Sequence, residues 1–262
     1  MADQPFRFED GASYEKMMGR WSRIIGATFL DWLAPRSGLQ WADVGCGNGA
    51  FTELVVERFA PTAITAIDPS EGQLKFARAR PGTKGATYVQ GDAMALPLAD
   101  DSIDAAVMAL VIFFVPEPAR GVAEMARVLK PGGLAAAYAW DIFGGGFPME
   151  PIQAELNALG FQPVRPPRAD ASRVDALQKL WRDAGFVDLE AREISATRTF
   201  ADFEDYWTTN LLSNSIAAAV AGLDRATIAQ LKERVRDKLT GGADGLITST
   251  SRANAIKGRK PV

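Results

Sequence analysis

The chain has 262 residues and a formal net charge of −3, with 47% hydrophobic and 23% charged residues. This balance is typical of a globular protein and predicts a single α/β domain over residues 1–262. The chain contains one cysteine and no histidine. That composition excludes disulfides, zinc sites built from cysteine and histidine, and nucleophiles activated by histidine, and we expect no metal site. The acidic balance also argues against nucleic acid as a partner.

The N-terminal residues carry acids and lack the apolar segment of a secretory signal. The longest apolar stretch, Ala105 to Val115, is shorter than the roughly 20 residues that a membrane helix requires. We therefore expect a cytoplasmic protein that has no membrane partner. The sequence makes no prediction of the oligomeric state.

From residue 41 onward, short apolar runs alternate with amphipathic helices, a pattern that predicts a mostly parallel sheet with helices on both faces. The seven predicted strands cover residues 41–44, 63–67, 86–90, 104–115 (at least its first half), 134–140, 186–194 and 246–256. The predicted helices between them cover residues 51–59, 71–79, 117–129 and 173–184, the last with Ser172 as its N-cap. The fold class is therefore a doubly wound α/β sheet.

Three segments do not follow this alternation. A helix is predicted at 14–33, within an N-terminal cap of residues 1–40. The segment 141–171 contains three consecutive glycines and several prolines, and 200–240 is predicted to form two helices. Long excursions near strand ends often cover ligand sites, so we interpret the last two segments as a helical lid.

The clearest motif is Asp43-Val44-Gly45-Cys46-Gly47-Asn48-Gly49-Ala50, which lies where the first strand turns into the first helix of the sheet. Glycines at such a turn let the backbone approach a ligand closely, and the helix N-terminus offers unpaired N–H groups. The motif therefore predicts a nucleotide-type ligand site.

The glycines alone leave the ligand open, because Gly45, Gly47 and Ala50 also satisfy the G-x-G-x-x-A fingerprint of dinucleotide-binding proteins. Asp68 ends the second strand, where an acid holds ribose hydroxyls with either type of ligand. Asp43, by contrast, occupies a position at which a dinucleotide fold normally has an apolar residue.

Two further motifs accompany Asp43. Gly91-Asp92-Ala93 follows the third strand, and Leu129-Lys130-Pro131-Gly132-Gly133 precedes the fifth. With these motifs the chain resembles the class I S-adenosylmethionine-dependent methyltransferases, in particular their small-molecule, type 11-like branch, over about residues 40–140. The resemblance implies a Rossmann-like fold with a cofactor-binding core at 41–140. It also implies that S-adenosylmethionine is the cofactor and S-adenosylhomocysteine the product.

The resemblance implies a role for residues at four strand ends. The segment from Gly45 through Cys46 and Gly47 to Gly49 would pass under the methionine part of the cofactor, and Asp43 would support that loop or the ammonium group. Asp68 would accept from both ribose hydroxyls. Pro69 would pack on the adenine, and Leu110 would lie beside the methionine part.

The remaining cofactor contacts implied by the resemblance come from the third strand and the N-terminus. Asp92 would accept from the adenine amine, and the Ala93 N–H would donate to the adenine ring. In several relatives an N-terminal helix supplies a tyrosine and an arginine, for which Tyr14 and Arg23 are the best placed here. Arg20 competes with Arg23 for this contact.

The acceptor side departs from the family pattern. The stretch 110–116 after the fourth strand is apolar, lacks the histidines of many relatives and contains no Asn/Asp-Pro-Pro-Tyr tetrad. We therefore expect a small, partly apolar acceptor that is methylated mainly through proximity, with no catalytic residue assigned. Candidate groups for a hydroxyl acceptor are Tyr138, Asp141, Glu150 and Tyr206, and aromatic residues that could face the sulfonium are Phe113, Phe114, Trp140 and Trp207.

Two alternatives to a methyltransferase remain open at this point. The missing catalytic groups are also compatible with a non-catalytic module that binds S-adenosylmethionine. The glycine fingerprint is compatible with an NAD(P)-dependent oxidoreductase.

Overall fold

The computed structural model describes residues 15–162, 165–242 and 245–262. The helices of this part of the chain are α1 (Arg20–Leu33), α2 (Ala50–Phe59), α3 (Glu71–Arg78), α4 (Pro118–Val128), α5 (Glu150–Ala158), α6 (Val174–Asp183), α7 (Phe203–Asn210), α8 (Asn214–Ala221) and α9 (Arg225–Asp237). The strands are β1 (Gln40–Val44), β2 (Ala63–Asp68), β3 (Ala86–Gln90), β4 (Ile103–Ala109), β5 (Leu129–Trp140), β6 (Val187–Phe200), β7 (Thr240–Gly241) and β8 (Ile247–Arg259).

One mixed sheet organises the fold, with the strand order β3-β2-β1-β4-β5-β8-β6. The first five strands in this order are parallel, and β8 is antiparallel to both of its neighbours. The two-residue β7 pairs with β8 beside this seven-strand path. The predicted doubly wound, Rossmann-like sheet of seven strands is confirmed, and the short β7 is an addition to it.

The core follows from the apolar strands at the centre of the sheet. β4 and β5 are buried almost throughout, as expected for parallel strands covered on both faces. Trp21, Ile25 and Phe29 repeat every four residues along α1, so they form one buried face of that helix. This packing places α1 against α2 and β6.

Several predicted elements have different limits in the structure. β4 ends at Ala109 because Leu110 adopts a left-handed conformation with φ +63°, and a 3₁₀ turn follows at Ile112–Phe114. The continuation of this strand to residue 115 is therefore wrong, and its first half is confirmed. The N-terminal helix begins with a π turn at Glu15–Gly19.

Two predictions in the C-terminal half are wrong. Ser172 is not the N-cap of α6, because it belongs to a 3₁₀ turn at Ala169–Ser172 and its hydroxyl donates to Ala169 O at 2.7 Å. The segment 200–240 contains three helices, α7 to α9, instead of two. In the described part of the chain, no helix has both the length and the apolar character needed to cross a membrane.

Candidate cofactor site

A cavity of about 420 Å³ opens at the carboxyl ends of β1, β2 and β4. Ligand sites of doubly wound folds form at this edge of the sheet. Among the sequence-predicted site residues, the cavity is lined by Asp43, Gly45, Cys46, Gly47, Asp68, Pro69, Asp92, Ala93 and Leu110. Residues that the sequence analysis did not assign to the site also line it, among them Ser22, Asn48, Phe51, Ser70, Gln73, Val111, Val115, Pro116 and Pro167.

The glycine loop, residues 45–49, has three glycines in the left-handed conformation. Two of them, Gly45 and Gly47, differ in the atoms that a side chain would meet. Gly45 has φ +76°, and a Cβ there would lie 2.5 Å from the side chain of Val111. Gly47 has φ +51°, and a Cβ there would meet nothing within 4 Å. Gly45 is therefore required by packing between the loop and the chain after β4. Gly47 faces open space, where a ligand can approach the backbone.

Asp43 is the most buried acid of the cavity, with 1% of its surface exposed. It lies in β1, which is flanked by β2 and β4. Its Oδ2 accepts from the Thr52 hydroxyl at 2.6 Å, and in the described part of the chain Oδ1 has no hydrogen-bond partner. Burial raises the pKa of Asp43 to about 7, against the Thr52 hydrogen bond, and the nearby Asp68 adds to the rise.

Asp68 at the end of β2 connects two backbone segments of the site. Its Oδ2 accepts from Gly47 N at 2.9 Å and its Oδ1 from Ser70 N at 2.9 Å. Burial raises the pKa of this carboxyl above its ordinary value, and the two backbone hydrogen bonds oppose that rise. Asp68 therefore fixes the glycine loop to the start of α3 and still lines the cavity.

Asp92 and Ala93 follow β3 in a tight turn. Asp92 Oδ1 accepts from Met94 N at 2.8 Å, and Asp92 forms a β-bridge with Ala95. Asp92 and the adjacent Ala93 of this turn line the cavity, next to Gly91.

The part of the cavity wall that follows β4 is apolar. The left-handed Leu110 turns the chain out of β4, and its N–H donates to Tyr138 O at 2.9 Å. The turn brings Val111, Phe114 and Val115 into the cavity wall, next to Tyr138 from β5. In the strand order β3-β2-β1-β4-β5, the acids Asp92, Asp68 and Asp43 come from the ends of the first three strands and form the acidic end of the cavity, whereas β5 and the chain after β4 form its apolar end.

Two predicted contacts, from Tyr14 and Arg23, are not seen among the described residues that line the cavity. Tyr14 lies outside the described residues. The Arg23 guanidinium forms ion pairs with Glu53 and Glu57 of α2, and Arg23 does not line the cavity. Its competitor Arg20 is exposed and does not line the cavity either.

The N-terminal strap, residues 15–19, connects to the glycine loop through Arg80. Arg80 Nε donates to Asn48 O at 2.6 Å, and its other guanidinium nitrogens pair with Glu15 and Glu53. Asn48 also donates to Glu15 Oε2 at 2.6 Å. Farther along the strap, the buried Arg198 of β6 donates to Lys16 O and Met17 O at 3.0 and 2.8 Å.

The groups named for a hydroxyl acceptor are dispersed. Tyr138 lines the cavity, whereas Asp141 forms an ion pair with Arg252 at 2.9 Å. Tyr206 is fully buried against Phe200 and Phe203. Of the four aromatic candidates for facing a sulfonium, Phe114 is the one that lines this cavity, and Trp140 packs edge-on against Trp21.

The chemistry of the acidic end is suited to a cationic ligand with hydroxyl groups. Three acids line it, and its described lining contains no lysine or arginine. Among the described residues no donor reaches the buried Oδ1 atom of Asp43, which favours a ligand that supplies one. A pyrophosphate beside Asp43 would place like charges together. The residues present therefore fit S-adenosylmethionine, which carries an ammonium group, a sulfonium and ribose hydroxyls.

Comparison with known proteins finds similarity to methyltransferases. Residues 42–137 match a family model described as "Methyltransferase domain". Over 155 residues the chain is 42% identical to malonyl-[acyl-carrier protein] O-methyltransferase from Methylococcus capsulatus, covering 58% of this chain and 54% of that protein. Over 121 residues it is 38% identical to the ubiquinone/menaquinone biosynthesis C-methyltransferase UbiE from Paracoccus denitrificans, covering 45% of this chain and 48% of that protein. The chain thus spans about half the length of these two curated relatives.

The fold is also that of known methyltransferases. Haemonchus contortus phosphoethanolamine N-methyltransferase 2, solved with phosphomonomethylethanolamine and S-adenosylhomocysteine, is similar with a TM-score of 0.58 at 18% identity. The similarity covers 96% of this chain and 57% of that one. The fold is that of a Rossmann-like protein with a cavity at the carboxyl edge of its sheet. More particularly, residues 42–137 are similar to a methyltransferase domain.

Proposed function

We propose that the chain transfers a methyl group from S-adenosylmethionine to a small, partly apolar molecule. One observation carries this proposal: a single cavity joins an acidic end, at Asp43, Asp68 and Asp92, to an apolar end at Phe114 and Tyr138. The acidic end matches the polar groups of the cofactor. The apolar end lies beside it and supplies the space in which an acceptor would meet the methyl group.

In this proposal the cofactor residues are those that line the cavity. Asp43 holds the ammonium group, Asp68 the ribose hydroxyls and Asp92 the adenine amine, while Gly47 allows the methionine part to lie against the backbone. Pro69, Ala93 and Leu110 shape the wall, next to Cys46 and Gly45. Tyr14, which lies outside the described residues, and Arg23, which does not line the cavity, stay predictions.

When bound, S-adenosylmethionine supplies a sulfonium-activated methyl group. The protein then needs mainly to hold the acceptor in line with that group, and such positioning can lower a barrier by roughly 7–11 kcal/mol. The apolar wall after β4 excludes water from the acceptor and orients it.

The first test is calorimetric titration of the purified protein with S-adenosylmethionine, S-adenosylhomocysteine and NAD(P)H in parallel. We expect micromolar binding of the first two alone. Saturable binding of NAD(P)H instead would overturn the proposal, because it would make the glycine loop a dinucleotide site.

Asp68→Ala tests the assigned cofactor residue. We expect it to abolish binding of S-adenosylhomocysteine while the folded baseline in circular dichroism is retained, since Asp68 both contacts the ligand and fixes Gly47 N. Glu233→Ala, at an exposed position of α9, is the matched control and should bind normally. Wild-type affinity in Asp68→Ala would contradict the assignment.

The acceptor is then sought by following formation of S-adenosylhomocysteine. The curated relatives are named for a malonyl group on an acyl carrier protein and for quinone biosynthesis, so the panel should contain carboxylate and quinol acceptors. No product from any acceptor in a broad panel would favour a non-catalytic module. The cytoplasmic location stays a prediction, which cell fractionation would test. The assignment of residues 141–171 and 200–240 as a lid is also a prediction, and acceptor binding to variants in these segments would test it.

A further inference from the structure

Thr52 forms a hydrogen bond with one of the two carboxylate oxygens of Asp43. Thr52 lies in the first turn of α2, and its side chain is fully buried. The Thr52 hydroxyl donates to Asp43 Oδ2 at 2.6 Å, a short contact typical of a hydroxyl on a carboxylate. A threonine of the helix that follows the glycine loop therefore fixes the orientation of an acid in the strand that precedes it.

The second oxygen of Asp43 has no such partner. Within the described ranges, no group hydrogen-bonds to Oδ1, although that atom is buried. The titratable groups that interact with Asp43 are Asp68 of β2, Cys46 of the glycine loop and Tyr88 of β3. None of these groups is a cation. No lysine or arginine of the described chain lines the cavity, and Asp43 lines it where a ligand could supply a positive charge.

We propose that Thr52 is a positioning residue for the cofactor: its hydroxyl fixes Asp43 so that Oδ1, the oxygen left without a donor, accepts from the ammonium group of the bound ligand. This inference rests on the proposed function, because it takes S-adenosylmethionine or its product as the ligand. It assigns a role to a residue that does not itself line the cavity.

The arrangement couples binding to a proton. Because Thr52 donates to Oδ2, a proton carried by Asp43 in the ligand-free protein sits on Oδ1. The ammonium group needs that same oxygen as an acceptor. Binding therefore releases the proton from Oδ1 to the buffer, and below pH 7 the release approaches one proton for each ligand bound.

Two variants at one position separate positioning from packing. Thr52→Val keeps the shape of the side chain and removes the hydroxyl, whereas Thr52→Ser keeps the hydroxyl. We expect Thr52→Val to weaken binding of S-adenosylhomocysteine about tenfold or more, as for loss of a hydrogen bond to a charged group. Because the Thr52 hydrogen bond lowers the pKa of Asp43, its loss should shift the pH dependence of the affinity. The affinity of Thr52→Val should therefore increase over a higher pH range than the affinity of the wild type. Thr52→Ser should restore affinity to within about threefold of the wild type, given the retained hydrogen bond.

The ligand provides a second control. 5′-Methylthioadenosine has the nucleoside of the cofactor without the amino-acid part, so its affinity should be the same in wild type and Thr52→Val. Thr28→Val makes the same chemical change in α1, where the Thr28 hydroxyl donates to Ile24 O of the same helix. This variant should leave the affinities for S-adenosylhomocysteine and 5′-methylthioadenosine unchanged. Calorimetry in two buffers of different ionisation heat measures the proton release directly.

Two results would overturn the inference. One is a Thr52→Val protein that binds S-adenosylhomocysteine with wild-type affinity and proton release. The other is an equal loss of affinity for 5′-methylthioadenosine, which would make Thr52 a packing residue of the loop. A wild-type protein that binds no S-adenosylhomocysteine is a different result, because it overturns the proposed function itself.

Discussion

Burial of Asp43 makes the stability of the ligand-free protein depend on pH. The pKa of this carboxyl is raised from 3.8 to about 7, so the folded state holds its proton more tightly than the unfolded state does. That contribution to stability is complete below pH 4 and is lost as the pH rises through 7. The shift corresponds to at most about 4 kcal/mol.

Asp43→Asn removes this titration and keeps the hydrogen bond from Thr52. In urea unfolding of the ligand-free proteins between pH 5 and 8.5, we expect the variant to gain stability relative to the wild type as the pH rises. Comparing the two proteins cancels the pH dependence of other groups. Parallel stability curves for the two proteins would show that Asp43 has an ordinary pKa.

Gly45 and Gly47 are two residues apart and should respond differently to alanine. Each substitution places a side chain in a left-handed conformation, which costs about 1–2 kcal/mol. Gly45→Ala should cost more, because its Cβ would also displace Val111. Gly47→Ala should lose ligand affinity, but its loss of stability should be limited to the cost of the left-handed conformation, since its Cβ points into open space.

Thermal unfolding and titration with S-adenosylhomocysteine distinguish these two effects. The double variant Gly45→Ala/Val111→Ala is the control, because removing the clashing methyl groups should make its loss of stability less than additive. An additive loss would mean that Val111 is not the obstacle to a side chain at residue 45.

At the residue scale, the sequence predicts those site residues that lie in contiguous motifs. Asp43 and Asp68 end neighbouring strands, so the parallel sheet alone brings them together. Tyr138 and Phe51 join the wall through packing that no local pattern encodes. The resemblance assigns Arg23 to the cofactor, but Trp21 and Ile25 of the same helix are buried and Arg23 pairs with α2 instead.

Among the elements, the N-terminal strap has an anchor far away in sequence. The guanidinium of Arg198 is buried, and its desolvation lowers its pKa to about 10. We expect Arg198→Met to release the carbonyls of Lys16 and Met17 and thereby increase the rate of tryptic cleavage after Lys16, measured by mass spectrometry. Arg192→Met, at an exposed position of the same strand, should leave that rate unchanged. Equal rates in wild type and Arg198→Met would show that the strap does not depend on this anchor.

Hydrophobic periodicity predicts most of the helices and strands, and it fails where a single backbone conformation decides the boundary. The run from 104 to 115 is continuously apolar, but the left-handed Leu110 ends β4 and aims the following residues at the cavity. Ser172 has the side chain of an N-cap, yet a preceding 3₁₀ turn uses its hydroxyl. Such local conformations depend on tertiary contacts.

For the whole molecule, the alternation of strands and helices predicts the five parallel strands and their crossovers. It does not predict that β8 lies between β5 and β6 and is antiparallel to both. Strand order in that half depends on which edge the last strand pairs with. The sequence predicts that a last strand is present but not which strands it pairs with.

The position of β8 has a consequence during protein synthesis. A ribosome completes β5 more than a hundred residues before it completes β8. At a synthesis rate of roughly 5–20 residues per second, the edge formed by β5 lacks its partner strand for on the order of ten seconds. Until β8 is complete, β6 also has no strand to pair with. The apolar β5 is therefore open to intermolecular pairing at this stage.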